Sequence, residues 1–235
     1  MIKQYNGPAL GLTRKSTEEE IKDRVFEAIH DTGYMIFCTI GADGVTPTNR
    51  GLEVHYLDDS GDLFIGLCPG KPVYDELKRN PRVSAGLIVS TVGRLTYGIR
   101  LNAIVEEVDD EKIMTRYWEL NPGTAKLYRR APYNFVIFRL KCGDGEIFDV
   151  YEDDALLRFR FGFGGTSARS WYYTISNKCT GCGECADKCM TQVIEIIDGK
   201  ASIDYPACLE CGVCHSVCPI GAVVKNEGGK SNDIR

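Results

Sequence analysis

Apolar residues recur along the chain at two periods. From Thr17 to His30 the spacing is helical: Ile21, Val25, Ala28 and Ile29 form one stripe, and Gly33 follows as a stop. Ser16 with Glu19, or Thr17 with Glu20, offers a capping box at its start. The period then falls to that of strands. Runs at 34–40 (YMIFCTI), 51–57 (GLEVHYL), 62–67 (DLFIGL), 83–89 (VSAGLIV), 94–108 (RLTYGIRLNAIVEEV) and 135–141 (FVIFRLK) fit this second pattern. Turn residues separate most of them, as in GADG at 41–44 and DDSG at 58–61. Short helices are expected from Pro72 and over about 109–121, the second opening at Asp109-Asp110. About six antiparallel strands with inserted helices predict a mainly β fold, a small barrel, over residues 1–150.

The pattern changes after residue 173, where cysteine dominates. Of eleven cysteines, only Cys38, Cys68 and Cys142 precede residue 179. Cys179, Cys182, Cys185 and Cys189 follow C-x2-C-x2-C-x3-C, and Cys208, Cys211, Cys214 and Cys218 repeat it 29 residues later. This is the bacterial iron–sulfur spacing. Three thiolates from one tight loop reach different irons of a cubane, while the fourth, beyond the loop, points to the neighbouring cluster. The expected ligand sets are therefore Cys179, Cys182, Cys185 and Cys218 for one [4Fe–4S] cluster, and Cys208, Cys211, Cys214 and Cys189 for the other. Gly181, Gly183 and Gly212 suit a backbone that must curl close to inorganic sulfur. Structural zinc is the alternative, but zinc takes paired C-x2-C knuckles set well apart.

Residues 174 to about 226 resemble a two-cluster bacterial ferredoxin in length, repeat and the Cys218-Pro219 ending. The first repeat departs from that family with Met190 where proline is usual. Proline is not a ligand, so the departure bears on loop rigidity or potential rather than on cluster binding.

In the β-rich part, GLCPGKPVYDELKRNPRVS (66–84) is the informative segment. A strand ends, the turn at Gly70 presents Lys71, and a helix opens on Pro72. Amides at that helix start and the Lys71 ammonium make an anion site, to which Arg50 adds a bidentate contact. The plainer reading is a solvated lysine in a turn. The order of strand, Arg50, strand, Lys71 turn, helix and Asn80-Pro81-Arg82-Val83 resembles the FMN-binding split-barrel family of pyridoxamine 5′-phosphate oxidase, most closely over 71–84 and loosely over 17–150. That resemblance implies that Arg50 and Lys71 hold the FMN phosphate, with Gly70 in the same turn and His55 as a further flavin contact. It also implies a homodimer with FMN at the subunit interface. The residues that bind a pyridoxine substrate in that family have no clear counterpart, so that activity is not carried over.

Between the two parts, residues 151–173 alternate Arg158-Phe159-Arg160-Phe161 and then turn glycine-rich. They read as one more strand, basic on one face and aromatic on the other. Such a strand either packs the ferredoxin part onto the barrel or covers the flavin with aromatic and positive groups for an anionic substrate. The expected organisation is thus a split-barrel domain (1–150), a connector (151–173) and a small α+β ferredoxin domain (174–235). Cys38 and Cys68 read as packed thiols and Cys142 as incidental. His215, inside the second cysteine loop, is a candidate hydrogen-bond donor to a cluster. His30, His55 and His215 make no catalytic or metal set with one another, and no nucleophile–base arrangement is visible.

Composition narrows the picture. The chain of 235 residues is 43% hydrophobic and 26% charged, with a net charge of −5 and an isoelectric point near 5.4. An acidic chain is not expected to bind nucleic acid. No apolar run reaches a membrane span, the N-terminus lacks the apolar core of a signal peptide, and many cysteines in a metal pattern fit a reducing compartment; a cytoplasmic address is expected. Together the two resemblances imply a reductase. An external ferredoxin or similar donor charges the clusters, they reduce FMN, and FMN reduces a small molecule; split-barrel relatives include reductases of nitro compounds and other small electrophiles. Two readings stay open beside it: an electron relay between protein partners with no small-molecule substrate, and a redox or ligand sensor whose barrel binds haem or a deazaflavin.

Overall fold

The computed structural model describes residues 9–57, 60–91, 94–151 and 155–226. Asp58 and Asp59 of the DDSG turn, and residues 1–8 of the N-terminus, lie outside the described residues.

The first helix, α1 (Glu18–Thr32), starts at the second of the two available caps. Thr17 Oγ1 accepts from the Glu20 amide at 3.2 Å, and the Glu20 carboxylate accepts from the Thr17 amide at 2.9 Å. Gly33, at φ 76°, ends it in the left-handed conformation that glycine adopts without steric cost. Its stripe of Ile21, Val25, Ala28 and Ile29 is buried together with Phe26.

Six antiparallel strands follow: β1 (Tyr34–Ile40), β2 (Pro47–Leu57), β3 (Asp62–Leu67), β4 (Arg82–Thr91), β5 (Arg94–Val108) and β6 (Val136–Tyr151). Their spatial order is β3-β2-β1-β4-β5-β6, and β3 pairs β6 (Phe64 opposite Arg139) to close the barrel. Three helices interrupt them: α2 (Pro72–Arg79), α3 (Glu111–Leu120, capped by Asp110) and α4 (Pro122–Tyr128). Inward residues such as Phe37, Val54, Ile99, Leu140 and Ile147 fill the interior, and Phe26 of α1 meets Phe161 and Phe163 edge-on at 6.1 and 5.4 Å. A second apolar group, Leu57, Phe64, Tyr117, Phe135 and Ile137, seats α3 on the outside of the barrel wall.

Where sequence and structure differ most is β6. The apolar run suggests an end near residue 141, yet the strand continues through KCGDGEIFDV to Tyr151. Gly143 and Gly145 look like turn residues, but they let neighbouring groups approach. A Cβ at 143 would lie 2.0 Å from the Asn102 carbonyl oxygen, and one at 145 would lie 2.1 Å from the Phe161 ring. The extension of β6 pairs with β7 (Ala155–Phe163), so part of the expected connector is a strand of the barrel sheet. Its alternation places Phe159 and Phe161 in the core and turns Arg158 and Arg160 to the other face.

The remainder is built from short pieces: β8 (Tyr173–Ile175), α5 (Glu184–Asp187), β9 (Ile194–Ile197), β10 (Lys200–Ile203), α6 (Val213–Val217) and β11 (Val223–Lys225), with β8 paired to β11 and β9 to β10. Among the described residues no helix is long and apolar enough to cross a membrane.

Candidate functional site

The two cysteine loops are built alike. Gly183 (φ 86°) caps α5 and Gly212 (φ 82°) caps α6, so in each loop the chain reverses just before the third cysteine. Those third cysteines, Cys185 and Cys214, are the buried ones, and burial pushes their thiols up, Cys214 to about 11. Burial also opposes ionisation of the fourth cysteines. There, however, backbone amides outweigh it, from Val193 and Thr191 at Cys189 and from Val223 and Ile220 at Cys218, and hold both thiols below their ordinary value.

Cys179, Cys182, Cys185 and Cys218 line one narrow recess, together with the backbone of Gly181 and Gly183. The first repeat thus supplies three of its thiols and the second repeat one. Amide donors reach the sulfurs, Ala201 to Cys179 at 3.3 Å, Glu210 to Cys208 at 3.3 Å and Ala222 to Cys218 at 3.1 Å. Such donors stabilise thiolate on a cluster. Four thiols around one recess, with amides aimed at sulfur, fit a [4Fe–4S] group. Among the described residues no three His, Cys, Asp or Glu side chains close on a single ion. His215 turns its Nδ1 to the Val223 carbonyl oxygen at 2.6 Å, tying α6 to β11.

On the barrel, a cavity of about 740 Å³ lies against the outer face of the sheet. Gly51, Gly86 and Gly98 bring bare backbone to it, Ile36, Ile88 and Phe148 make it apolar, and Arg100 and Arg158 supply positive charge. Its size and its few charged groups are those of a cofactor-sized site. Tyr34, Ile36 and Ile88, at 55%, 53% and 74% exposure, present apolar surface there.

The residues that the split-barrel resemblance marks are not gathered on this cavity. Arg50 pairs with Phe37 on the inward face of β2, whereas Gly51 of the same strand lines the cavity. Arg50 is held in place: its Nη1 lies 2.7 Å from the Glu76 carboxylate and donates to Thr39 Oγ1 at 2.8 Å, and its Nη2 donates to Thr48 Oγ1 at 2.7 Å. His55 is buried on the opposite face of β2, against the Tyr117 ring at 5.2 Å and in hydrogen-bond contact with Asn121. Burial, then the neighbouring His30, hold its imidazole below the ordinary value. Gly70 and Lys71 sit in the turn before α2, with Lys71 exposed and at the N-cap position. Cys68 is packed, its Sγ 2.5 Å from the Tyr128 hydroxyl.

Glu76 gives a first prediction. Burial raises its pKa, but hydrogen bonds from Thr39 and Arg50 prevail and keep the carboxyl below the ordinary range. Glu76→Gln removes the counter-charge of a half-buried guanidinium and destabilises the barrel by about 1.5–3 kcal/mol. A folded pKa below the unfolded one means that the contribution is complete above about pH 4.3 and is lost as pH falls through the folded value. Urea midpoints of parent and variant therefore converge below that pH.

A charged seam joins the barrel to the cysteine loops. On β6, Glu146 faces Arg160 Nε at 2.8 Å, Arg158 Nε at 3.8 Å and the Arg100 guanidinium. Two residues earlier Asp144 accepts from Arg169 at 2.7 Å. Both arginines of β7 continue to Glu210, between Cys208 and Cys211 in the second loop: Arg158 Nη1 and Arg160 Nη2 each lie 2.6 Å from Glu210 Oε2. Burial raises the Glu146 pKa, but Arg160 first, then Arg158 and Arg100, bring it below the ordinary range. The sequence marks the two arginines through their alternation. It gives no comparable signal for Glu146 or Glu210.

A family model described as a 4Fe-4S dicluster domain matches residues 178–222. An uncharacterized ferredoxin of Methanocaldococcus jannaschii is 46% identical over 48 residues, which cover 19% of this chain and 77% of that one. An uncharacterized protein from the rpl9–rpl11 intergenic region of Porphyra purpurea is 34% identical over 61 residues, covering 23% and 81% respectively. For the barrel, the crystal structure of a NimC/NimA family protein from Clostridium acetobutylicum superposes with a TM-score of 0.50 at 20% identity, covering 60% of this chain and 93% of that one. At that identity the likeness is one of fold, a split barrel.

Proposed function

The chain belongs, through residues 178–222, to the 4Fe-4S dicluster family, and from that premise we propose that it is an iron–sulfur flavoprotein oxidoreductase which takes single electrons from a ferredoxin-class donor and delivers them to a small molecule. Cys179, Cys182, Cys185 and Cys218 would hold one cluster, and Cys208, Cys211, Cys214 and Cys189 the other. The barrel cavity would hold the flavin ring, with FMN as the form that the split-barrel resemblance implies. When bound, the clusters supply one-electron steps and the flavin supplies exchange between single electrons and pairs.

The observation that carries this reading is the position of Arg158. It lines the cavity and also holds Glu210, which lies between two cysteines of the second loop. A cofactor-sized space thus abuts the metal-binding part through one side chain. Arg100 and Arg158 would hold the ligand's negative charge, the apolar walls would exclude water from it, and Gly51, Gly86 and Gly98 would leave room for a flat ring. The exposed Tyr34, Ile36 and Ile88 give a second copy of the chain a surface to cover, so the working form is a homodimer. Lys71 and Gly70, exposed in their turn, remain the phosphate anchors that the resemblance proposes. Arg50, which the resemblance proposes beside them, is engaged by Glu76, Thr39 and Thr48.

Anaerobic purification followed by iron, sulfide and released-cofactor analysis tests this. The expected result is about eight irons per chain with one FMN, and reduced protein reoxidised by a small electrophile such as a nitro compound. The same irons with no flavin, even after FMN is added, overturn the reductase, and a haem spectrum turns it into a sensor. Flavin that no small molecule reoxidises leaves a relay between proteins.

A further inference from the structure

The two cysteine loops are repeats, and one of the positions at which they differ lies between the first and second cysteines. There Cys179-Thr180-Gly181-Cys182 corresponds to Cys208-Leu209-Glu210-Cys211. Both third residues are left-handed, Gly181 at φ 69° and Glu210 at φ 54°. Glycine adopts that conformation freely, whereas glutamate does so at a steric cost. At Gly181 a side chain has no room, since a Cβ would meet the Gly199 carbonyl oxygen at 2.4 Å. The first loop therefore packs on the turn between β9 and β10, inside the ferredoxin part.

Glu210 has different surroundings. Its side chain is 7% exposed, beside Arg158 at 9% and Arg160 at 4%. Oε2 accepts from both guanidiniums at 2.6 Å and Oε1 accepts from the Tyr172 amide at 2.7 Å, while its own amide donates to Cys208 Sγ at 3.3 Å. Neighbouring contacts reinforce the same loop: Trp171 stacks on Tyr205 at 5.2 Å, and Arg14 binds Asp204 at 2.7 Å. A strained residue in a repeat whose other copy is glycine is explained when its side chain does something the glycine cannot.

We propose that Glu210 is a positioning residue that fixes the second cysteine loop, rather than the first, against the cavity wall at Arg158, making that loop the point of electron exchange between the metal centre and the barrel. The proposal rests on the reading of the clusters and the cavity given above. In the exchange one electron passes from the reduced centre to the cavity's occupant, the centre returns to its oxidised state, and no bond is made or broken. A ferredoxin-class donor replaces the electron.

The test is Glu210→Gly in the full-length holoprotein, a change that gives the second loop the first loop's residue and relieves the backbone. Iron content is expected to stay at the parent's value. One of two cluster potentials, followed by EPR-monitored titration, should shift while the other stays. Amides of β7 and residues 170–172 should exchange faster with deuterium, and reduction of bound flavin by dithionite-charged clusters should slow by about 10- to 100-fold. Glu210→Gln, which keeps the hydrogen-bonding shape, should fall between parent and glycine variant. Unchanged potentials, exchange and transfer rate overturn the role of Glu210. A parent without flavin overturns the proposed function instead, and potentials and exchange then still decide on Glu210.

Discussion

Replacing Cys218 with serine should abolish the same cluster signal as replacing Cys182, 36 residues away, and should take iron from about eight to about four per chain. Cys189→Ser and Cys211→Ser should share the other signal. The reason is the recess in which Cys218 joins the three thiols of the first repeat. If each repeat held its own cluster, Cys189 would pair with Cys182 and Cys218 with Cys211. EPR of the four reduced single variants separates the two arrangements directly. The structural effect should be as large as the spectroscopic one. Among the described residues the buried apolar cluster of the cysteine-rich part is Cys185, Ile194, Ala201, Ile203, Cys214 and Val223, and two of these six are proposed ligands. A core that small does not hold a fold without its metal, so binding of the clusters is also folding. Stripping iron with a chelator should expose residues 173–226 to protease while the barrel, whose core is separate, stays resistant. Survival of both parts would mean that the seam alone holds the loops in place.

Much of this architecture was written in local pattern. Period-2 runs gave β1, β3 and β5 their limits, because each strand has one face in the barrel. The Thr17/Glu20 box and Gly33 marked both ends of α1. The cysteine spacing named the candidate ligands because the loop must present thiols at fixed intervals. The second half of β6 was hidden, since Gly143, Asp144 and Gly145 look like a turn; only the approach of Phe161 and Asn102 explains glycine within a strand. Strand parity separates Arg50 from His55 by an odd number of residues, which puts them on opposite faces of β2. That arithmetic was available in the sequence and weighs against one shared flavin contact. Glu146 and Glu210 were illegible for a different reason. A lone acid has no periodicity, and its importance appears only when strands distant in sequence bring arginines to it. The one trace was the mismatch of Gly181 with Glu210, which is one of several differences between the two repeats.

Arg160 is where the largest loss from a residue that holds no metal is expected. Its side chain is 4% exposed. Nε donates to Glu146 at 2.8 Å, Nη1 to the Ser170 carbonyl oxygen at 2.7 Å and Nη2 to Glu210 at 2.6 Å, with the guanidinium 4.3 Å above the Trp171 ring. Arg160→Met keeps most of the volume and leaves two buried carboxylates to share Arg158 and the exposed Arg100. Breaking a buried pair from one side costs about 3–5 kcal/mol, because the remaining charge stays desolvated. Arg160→Lys should recover only part of this, since an ammonium cannot serve three acceptors in the fixed geometry of a guanidinium. Adding Glu210→Gln to Arg160→Met should cost less than the sum of the single changes, because the second substitution removes a charge that the first left unpaired. Urea unfolding of the four proteins, holo and anaerobic, gives the coupling. A single-variant loss within about 0.5 kcal/mol of zero is the behaviour of a solvated surface residue and would place water between β7 and the second loop. A loss in the expected range means that the barrel and the cysteine loops fold against each other through these charges, so that any change to Arg160 also moves the second loop relative to the cavity at Arg158.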